Sequence, residues 1–533
     1  MALTPALDTA PGLPRTRPGT GPRTPRRPGR AAVALAPAGL TLALGLWESR
    51  RGNSMWRDES TTYQVAHRSV AQIVRLLGDA DVAHGLYYLL MHGVFALWDG
   101  GLLALRLPSA LAMAAAAAGV ALLGHRLAGP RTGLAAGTVF SLAPAVQRYA
   151  QEGRSYALVC AAVVGSTHLL LSAVARPRGR TWTGYAAAAS AACLLHEFAV
   201  LAVLAHGATL LCARVPAPVR WAWAKAASAV AVVLAPLATV SRQQAALVGW
   251  IDSPGPPELL GFAALALAGL GCAKAAPAAP GPLPLPALAL PLLALPGATL
   301  LAVSFLRPIY VDRYVLYSHA GLALLAGAAL EALLRAVPRP RAAAAALAAV
   351  AVAALLPCSI HLRTPQSRLD DPMAAARAVR ELTRPGDGVL FMPARRREPI
   401  LSSPGEFRGL RELALARNAV ASGTLHGIEL PAPRIRARVL TAERIAAVTD
   451  PPDQPLDDTP QERVKREVLD RYFRRCAQRE VQGMVVVLYA RPGHCWPGRG
   501  RSPGACRARC LTPRPPPGGR GNRRWRSGPS ARG

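Results

Sequence analysis

The chain has 533 residues, of which 51% are hydrophobic, and it carries 62 Lys+Arg against 30 Asp+Glu for a formal net charge of +32. Its mean hydropathy is +0.23, higher than a soluble domain sustains, and the apolar residues are blocked into runs such as Ala110–Leu123 and Ala342–Leu356. These properties predict an α-helical polytopic membrane protein. They argue against nucleic-acid binding, because the excess charge sits at the two ends and in short loops between apolar runs.

In chain order, residues 1–30 form a basic segment with six Arg and one Asp, expected in the cytoplasm. The apolar run Ala31–Trp47 lacks a signal-peptidase pattern at its end and reads as an uncleaved first span. Ten further spans are expected near 105–124, 132–147, 155–174, 183–195, 198–213, 222–240, 258–274, 284–305, 315–335 and 342–358, about eleven in all. With the first segment inside, the alternate loops His125–Arg131, Arg176–Arg180, Arg214–Lys225 and Arg335–Arg341 are basic and nearly acid-free. The opposite loops hold Asp58, Glu59, Asp81, Glu152, Glu197, Asp252, Glu258 and Asp312, so the acids gather on the outer face. This topology requires His84–Trp98, only about fifteen residues long, to lie at the membrane surface rather than cross it.

The domain plan is a membrane domain over 31–360 with a first outer loop at 48–104, an extracytoplasmic soluble domain at 361–490, and an Arg/Pro/Gly-rich tail at 491–533. Asp370-Asp371-Pro372-Met373 precedes a helical pattern at Ala374–Thr383. Gly388–Phe391 and Met484–Tyr489 read as buried strands, which predicts a small α/β domain. The polar, Pro-rich stretch 400–465 has no assignable pattern. The tail has eleven Arg and no acid and cannot bury enough apolar surface to order itself. Nine scattered cysteines show no C-x-x-C or zinc spacing, and most read as small core residues.

The strongest chemical signal is Trp56-Arg57-Asp58-Glu59-Ser60-Thr61-Thr62. An acid pair just past a span suits general-base work, with Arg57 keeping Asp58 ionised. Other polar clusters fall on the same face: Asp79–Tyr88, Leu105-Arg106-Leu107-Pro108-Ser109, Gln147–Tyr156, and Tyr310-Val311-Asp312-Arg313-Tyr314. Singly, each also fits a snorkelling arginine or interfacial tyrosine. His196-Glu197 begins like H-E-x-x-H, but Val200 breaks that spacing, and the pair reads as a satisfied interfacial contact. Ser241–Gln244 and Trp250-Ile251 are weaker candidates for lying near a lipid. No P-loop or dinucleotide fingerprint occurs.

The ordered set W-R-D-E-S, D-x-x-H-x-x-Y-Y-L-L-x-H, L-R-L-P-S, Q-E-G-R-S-Y-A-L and D-R-Y resembles the bacterial type-C glycosyltransferases, relatives of protein O-mannosyltransferases and of the lipid A aminoarabinose transferase. Actinobacterial mannosyltransferase-like members share the D-E and Q-E-x-R-S-Y pattern. The resemblance covers about residues 30–360 and implies a polyprenyl-phosphate sugar donor, a mannose-like sugar, and a lipid, glycan or protein acceptor in the cell envelope. By the same resemblance Asp58 is the catalytic base and Glu59 an assisting acid, while Arg106, Arg154 and Arg313 are candidates for the donor phosphate. Asp81, His84, Tyr87, Gln151, Glu152, Tyr156 and Tyr314 would contact substrate. Where many relatives carry H-P-P or H-P-L, this chain has His84-Gly85-Leu86. No cofactor is firmly implied, although Asp58 with Glu59 could ligate a divalent metal. A transporter or lipid flippase without chemistry is the competing class, and a cell-wall-binding scaffold a third.

Overall fold

The computed structural model describes residues 29–245, 249, 251–276 and 283–495. The basic segment before residue 29, the tail after 495, Trp250 and the first part of the Pro-rich run 277–291 lie outside the described residues.

The membrane domain is helical. Its elements are α1 (Arg30–Leu46), α2 (Arg57–Ala66), α3 (Val70–Asp79), α4 (Gly85–Leu97), α5 (Leu102–Ala128), α6 (Pro130–Leu142), α7 (Pro144–Ala150), α8 (Tyr156–Ala175), α9 (Gly179–Leu195), α10 (Val200–Cys212), α11 (Ala217–Gln243), α12 (Pro256–Ala275), α13 (Leu285–Ser304), α14 (His319–Ala336) and α15 (Pro340–His361). Among the described residues, seven helices are long and apolar enough to cross a membrane by length and composition, and α1 and α10 are shorter apolar helices. One expected span, 132–147, is broken. Ala143 precedes Pro144 and sits at φ −59°, ψ 126°, the extended backbone that a following proline imposes. α6 ends there and the short α7 follows.

Small residues bring the first helices together. On α6, Gly133 and Gly137 are four apart and serve two neighbours. A Cβ on Gly133 would meet the Ala121 carbonyl of α5 at 2.4 Å, and one on Gly137 would meet Pro37 of α1 at 2.6 Å. Such small-xxx-small patterns let helix backbones approach where lipid offers no hydrophobic drive. Thr41 of α1 donates to Ser141 of α6 at 2.7 Å in the same contact. Conversely, α12 and α15 expose apolar side chains such as Leu260 (69%) and Val350 (64%). Apolar surface on this scale needs a lipid environment.

α2, α3 and α4 fill the first loop. Ser69 and Gln72 form a reciprocal capping box that starts α3. α4 buries Tyr87, Tyr88, Met91 and Phe95 on one side and exposes Leu89, Leu90 and Leu97 on the other, a two-sidedness that suits a helix lying along a membrane surface.

After α15 the chain forms an α/β unit. Its strands are β1 (Gly388–Met392), β2 (Arg411–Glu412), β3 (Leu415–Arg417), β4 (Ile428–Glu429), β5 (Arg444–Thr449), β6 (Arg474–Val481) and β7 (Met484–Ala490). Five strands make one sheet in the order β2-β1-β5-β7-β6, and β3 pairs with β4 separately. β1 pairs parallel with β2 and β5, whereas β7 runs antiparallel to β5 and β6. The helices are α16 (Pro372–Leu382), α17 (Glu398–Ser402), α18 (Ala419–Ser422), α19 (Ala432–Leu440) and α20 (Pro460–Tyr472). Alternate residues of β1, β5 and β7 face two cores. Leu390, Ile445, Val485 and Val487 meet α19 and α20, while Val389, Phe391, Val448 and Val486 meet α16. Burial on both faces makes these strands continuous apolar runs. Cys476 and Cys495 are joined in a disulfide, a pairing not anticipated from their spacing. Cys160 and Cys193 are buried, as expected of small core residues.

Candidate active site

The two carboxylates of Trp56-Arg57-Asp58-Glu59 lie in the first turn of α2 but face different surroundings, because successive helical residues are about 100° apart. The Asp58 side chain is 22% exposed and its Oδ2 lies 3.7 Å from Nη2 of Arg313. Glu59 is completely buried. Its Oε1 and Oε2 accept from Nε and Nη2 of Arg106, both at 2.7 Å, its Oε1 accepts the Gly153 N–H at 2.9 Å, and Arg51 pairs with it at 3.2 Å. Burial pushes the Glu59 carboxyl up, but Arg106, Arg51 and the Gly153 N–H outweigh it and hold the group down at about 2.

This corrects several expectations. Arg106 is not open to a donor phosphate: it is 1% exposed and also donates to the Ser49 and Ser54 carbonyls. Both Glu59 oxygens are occupied by arginines and a backbone N–H and face away from Asp58's surroundings. Among the described residues, no group of three or more His, Cys, Asp and Glu side chains converges as a metal would need. Gln151 is buried and donates to the Leu44 and Trp47 carbonyls. Glu152 is buried between Arg148 at 3.5 Å and Arg368 at 2.9 Å. Tyr87 is sealed within the apolar core of the membrane domain. All three side chains are buried away from the cavity described below. Arg57 turns away from Asp58 to Asp370 of the soluble domain, and Arg313 takes its place beside Asp58.

The remaining expected residues converge. Arg154 is 5% exposed. Its Nη1 donates to the Asp58 carbonyl and to Thr62 Oγ1, both at 3.4 Å, and its Nη2 lies 2.7 Å from Nε2 of His84. A guanidinium can only donate, so His84 accepts at Nε2 and carries its proton on Nδ1, 2.7 Å from Asp81 Oδ1. Tyr88 donates to the other Asp81 oxygen. Arg313 Nε donates to Tyr156 Oη at 3.1 Å, and its guanidinium lies 5.7–5.8 Å from the ring centroids of Trp56, Tyr156 and Tyr314.

A cavity of about 410 Å³ adjoins this cluster. Asp81, His84, His196 and Tyr314 line it together with the apolar Leu234, Ala238, Val303 and Ile309 and the polar Arg242, Gln244 and Arg307. Ser241, Arg242, Gln244 and Ile251 border the space. Gln244 also pins the first loop, accepting the Val82 N–H and donating to the Leu77 carbonyl, both at 2.9 Å.

His196 borders the same cavity. Its backbone is extended at φ −166°, ψ 120° and breaks α9 from the turn before α10. The ring is 4% exposed and lies 4.5 Å from Tyr314 and 5.7 Å from His84, centroid to centroid. Its Nδ1 is buried with no hydrogen-bond partner. The H-E pair falls in the gap expected between the spans 183–195 and 198–213, and the helix breaks there. Arg307 had no signal beyond its place after a span.

Two comparisons bear on this arrangement. The family described as Dolichyl-phosphate-mannose-protein mannosyltransferase matches residues 85–239, from α4 into α11. The structure of ArnT from Cupriavidus metallidurans in the apo state aligns with a TM-score of 0.54 at 12% identity, over 85% of this chain and 97% of that one. The fold is that of the type-C glycosyltransferases. The same ArnT bound to undecaprenyl phosphate aligns with a TM-score of 0.54 at 14% identity, over 86% of this chain and 98% of that chain. No curated protein matches the sequence. The type-C fold and the family profile agree on a multi-pass membrane glycosyltransferase, the enzyme class expected from the motifs. The profile begins at Gly85, after the Asp58 loop, so the assignment of Asp58 rests on geometry and on the first-loop motif.

Proposed function

We propose that this chain transfers a mannose-like sugar from a polyprenyl-phosphate donor to an acceptor hydroxyl on the extracytoplasmic face, with inversion at the anomeric carbon. The observation that carries the reading is one partly exposed acid, Asp58, set beside Arg313 and Arg154, whose neighbours His84 and Tyr314 line a cavity with a largely apolar wall. An aliphatic chain fits that wall, and ArnT has been solved with undecaprenyl phosphate.

In this mechanism Asp58 takes the proton from the acceptor hydroxyl. The oxygen attacks the anomeric carbon from the face opposite the phosphate. The bond between carbon and phosphate oxygen breaks, and its electron pair leaves with the phosphate. Arg313 and Arg154 bind the charge that grows there, so they stabilise the transition state more than the ground state. Guanidinium suits this role through its fork and permanent charge. A phosphate leaving group needs no general acid. His84, oriented by Asp81, fixes the free edge of Arg154, and Tyr156 fixes Arg313.

Sidedness has its own support. Asp370 of the soluble domain bonds directly to Arg57, so that domain and the Asp58 loop share one side of the membrane. The Cys476–Cys495 disulfide belongs in an oxidising compartment, as does the positive-inside reading of the basic loops.

The test is transfer of label from polyprenyl-phosphate mannose, and from pentose and other hexose analogues, to membrane extract of the host. Purified wild-type protein should label an acceptor with at least one donor, and Arg313→Ala should lose about tenfold or more in kcat/KM. No transfer with any donor in the series would overturn the reading.

A further inference from the structure

The sequence motif Asp370-Asp371-Pro372 starts a helix in the soluble domain, and the mechanism above makes no use of it. Asp371 does what the pattern predicts, accepting the Ala374 N–H at 3.1 Å at the start of α16. Asp370 points the other way. It is 5% exposed, and its Oδ1 accepts the backbone N–H of Arg57 at 2.7 Å, with Oδ2 3.8 Å from the Arg57 side chain. Arg57 is the first residue of α2, and the residue before it, Trp56, offers no side-chain cap. The carboxylate from the soluble domain therefore satisfies an N–H that α2 cannot satisfy itself. The next residue along α2 is Asp58.

Two residues earlier, Arg368 is 3% exposed and pairs with Glu152 at 2.9 Å. It also donates to the Arg148 carbonyl at 3.3 Å. Glu152 precedes Arg154 by two residues in the other reacting loop. Arg154 and Asp58 then meet each other, through the Asp58 carbonyl.

The segment carrying both side chains is itself held. Asp371 N–H donates to the Gln482 carbonyl at 3.0 Å, and the Gln482 side chain donates to the Arg368 carbonyl. Gly483, at φ +70°, makes the β6–β7 turn fit: a Cβ there would lie 2.5 Å from the Leu369 carbonyl and 2.6 Å from Asp370 Cβ. Only glycine adopts this conformation without strain and leaves that room.

We infer that Arg368 and Asp370 are positioning residues, a clasp by which the soluble domain sets the spacing between the Asp58 loop and the Arg154 loop. The inference rests on the proposed transferase reading for its kinetic consequence. Neither residue touches a reacting atom. Asp370 acts through α2 on Asp58, and Arg368 acts through Glu152 on Arg154. The soluble domain is thereby part of the catalytic apparatus, whatever acceptor it meets.

The experiment uses full-length protein in detergent, with Asp370→Ala, Asp370→Asn and Asp370→Ser. Asparagine keeps an acceptor oxygen for the Arg57 N–H; serine is too short to reach it. Alanine or serine should lower kcat by about tenfold to a hundredfold, with donor KM within about twofold, because ångström misplacement of a base costs rate rather than binding. Asparagine should stay within about threefold of wild type, since the neutral acceptor still caps the helix. Serine serves if alanine does not fold, as judged by elution and melting. Wild-type kcat in both alanine and serine, equal loss in asparagine, or a loss confined to KM overturns the clasp. Hydrogen exchange over residues 55–62 reads the same contact without any sugar, and it should be faster in alanine or serine than in asparagine. Faster exchange in a protein whose wild type transfers nothing would keep the clasp and remove the transferase; unchanged exchange overturns the clasp whatever the activity.

Discussion

Asp58 and Glu59 are neighbours in sequence, equally acidic, and indistinguishable by composition or motif. Packing separates them. Glu59 points into a buried cage of Arg51 and Arg106, while Asp58 faces Arg313. The same sorting applies to the arginines: Arg154 and Arg313 reach the cluster, whereas Arg106 and Arg57 are occupied elsewhere. The sequence indicated which loops matter, because polar residues at the ends of apolar runs stand out. It could not show which side of a short helix each residue would take, since that depends on partners more than forty residues away, such as Arg106 for Glu59. Two predictions belong at this scale. Arg106→Ala leaves a buried carboxylate without its main partner and should cost about 3–5 kcal/mol of stability, seen as loss of folded protein rather than as raised donor KM. Glu59 sits at about 2 in the folded protein, below its ordinary 4.5. Its contribution is therefore complete above pH 4.5 and declines as pH falls from there toward 2. The melting-temperature gap between wild type and Glu59→Gln should accordingly narrow across that window; a gap independent of pH would contradict the pairing.

Helices were the most legible elements. Among the described residues, seven helices are long and apolar enough to cross a membrane, and hydrophobic runs of this length have few alternatives to helix. The interruptions were only partly legible. The expected span 132–147 runs through Pro144, where α6 has already ended, whereas the gap between the expected spans 183–195 and 198–213 is where the extended backbone of His196 lies. In the stretch 400–465, β2, β3 and β4 are only two or three residues long, too short for a period to register, but α19 and β5 lie there too, unassigned from the sequence. Between elements, the Gly133/Gly137 contacts carry a prediction. Gly137→Leu drives a side chain into Pro37 at a position where even a Cβ would come within 2.6 Å. The overpacking should cost about 1–3 kcal/mol and lower the melting temperature in detergent. By contrast, Gly165→Leu on α8, where a Cβ meets nothing within 4 Å, should leave the melting temperature near wild type.

Across the whole molecule, the soluble domain docks on the first loop through Asp370 and contacts such as Gln64 to the Leu425 carbonyl at 3.0 Å, and on the loop between α7 and α8 through Arg368. That docking lies beyond sequence reading, because it joins residues more than two hundred positions apart. It makes sidedness testable at a distance from the active site. In spheroplasts, a membrane-impermeant maleimide should label Cys476 and Cys495 from outside, and only after reduction. Labelling that requires inside-out vesicles would reverse the topology and put the Asp58 loop in the cytoplasm with it.

The central claim is that Asp58 removes the acceptor proton while other groups bind the donor. Single-turnover transfer with wild type and Asp58→Asn, each loaded with a labelled polyprenyl-phosphate sugar that wild type accepts, addresses it directly. The account predicts that Asp58→Asn binds the donor within about threefold of wild type and transfers it about a hundredfold or more slowly. Transfer by Asp58→Asn at the wild-type rate would contradict it.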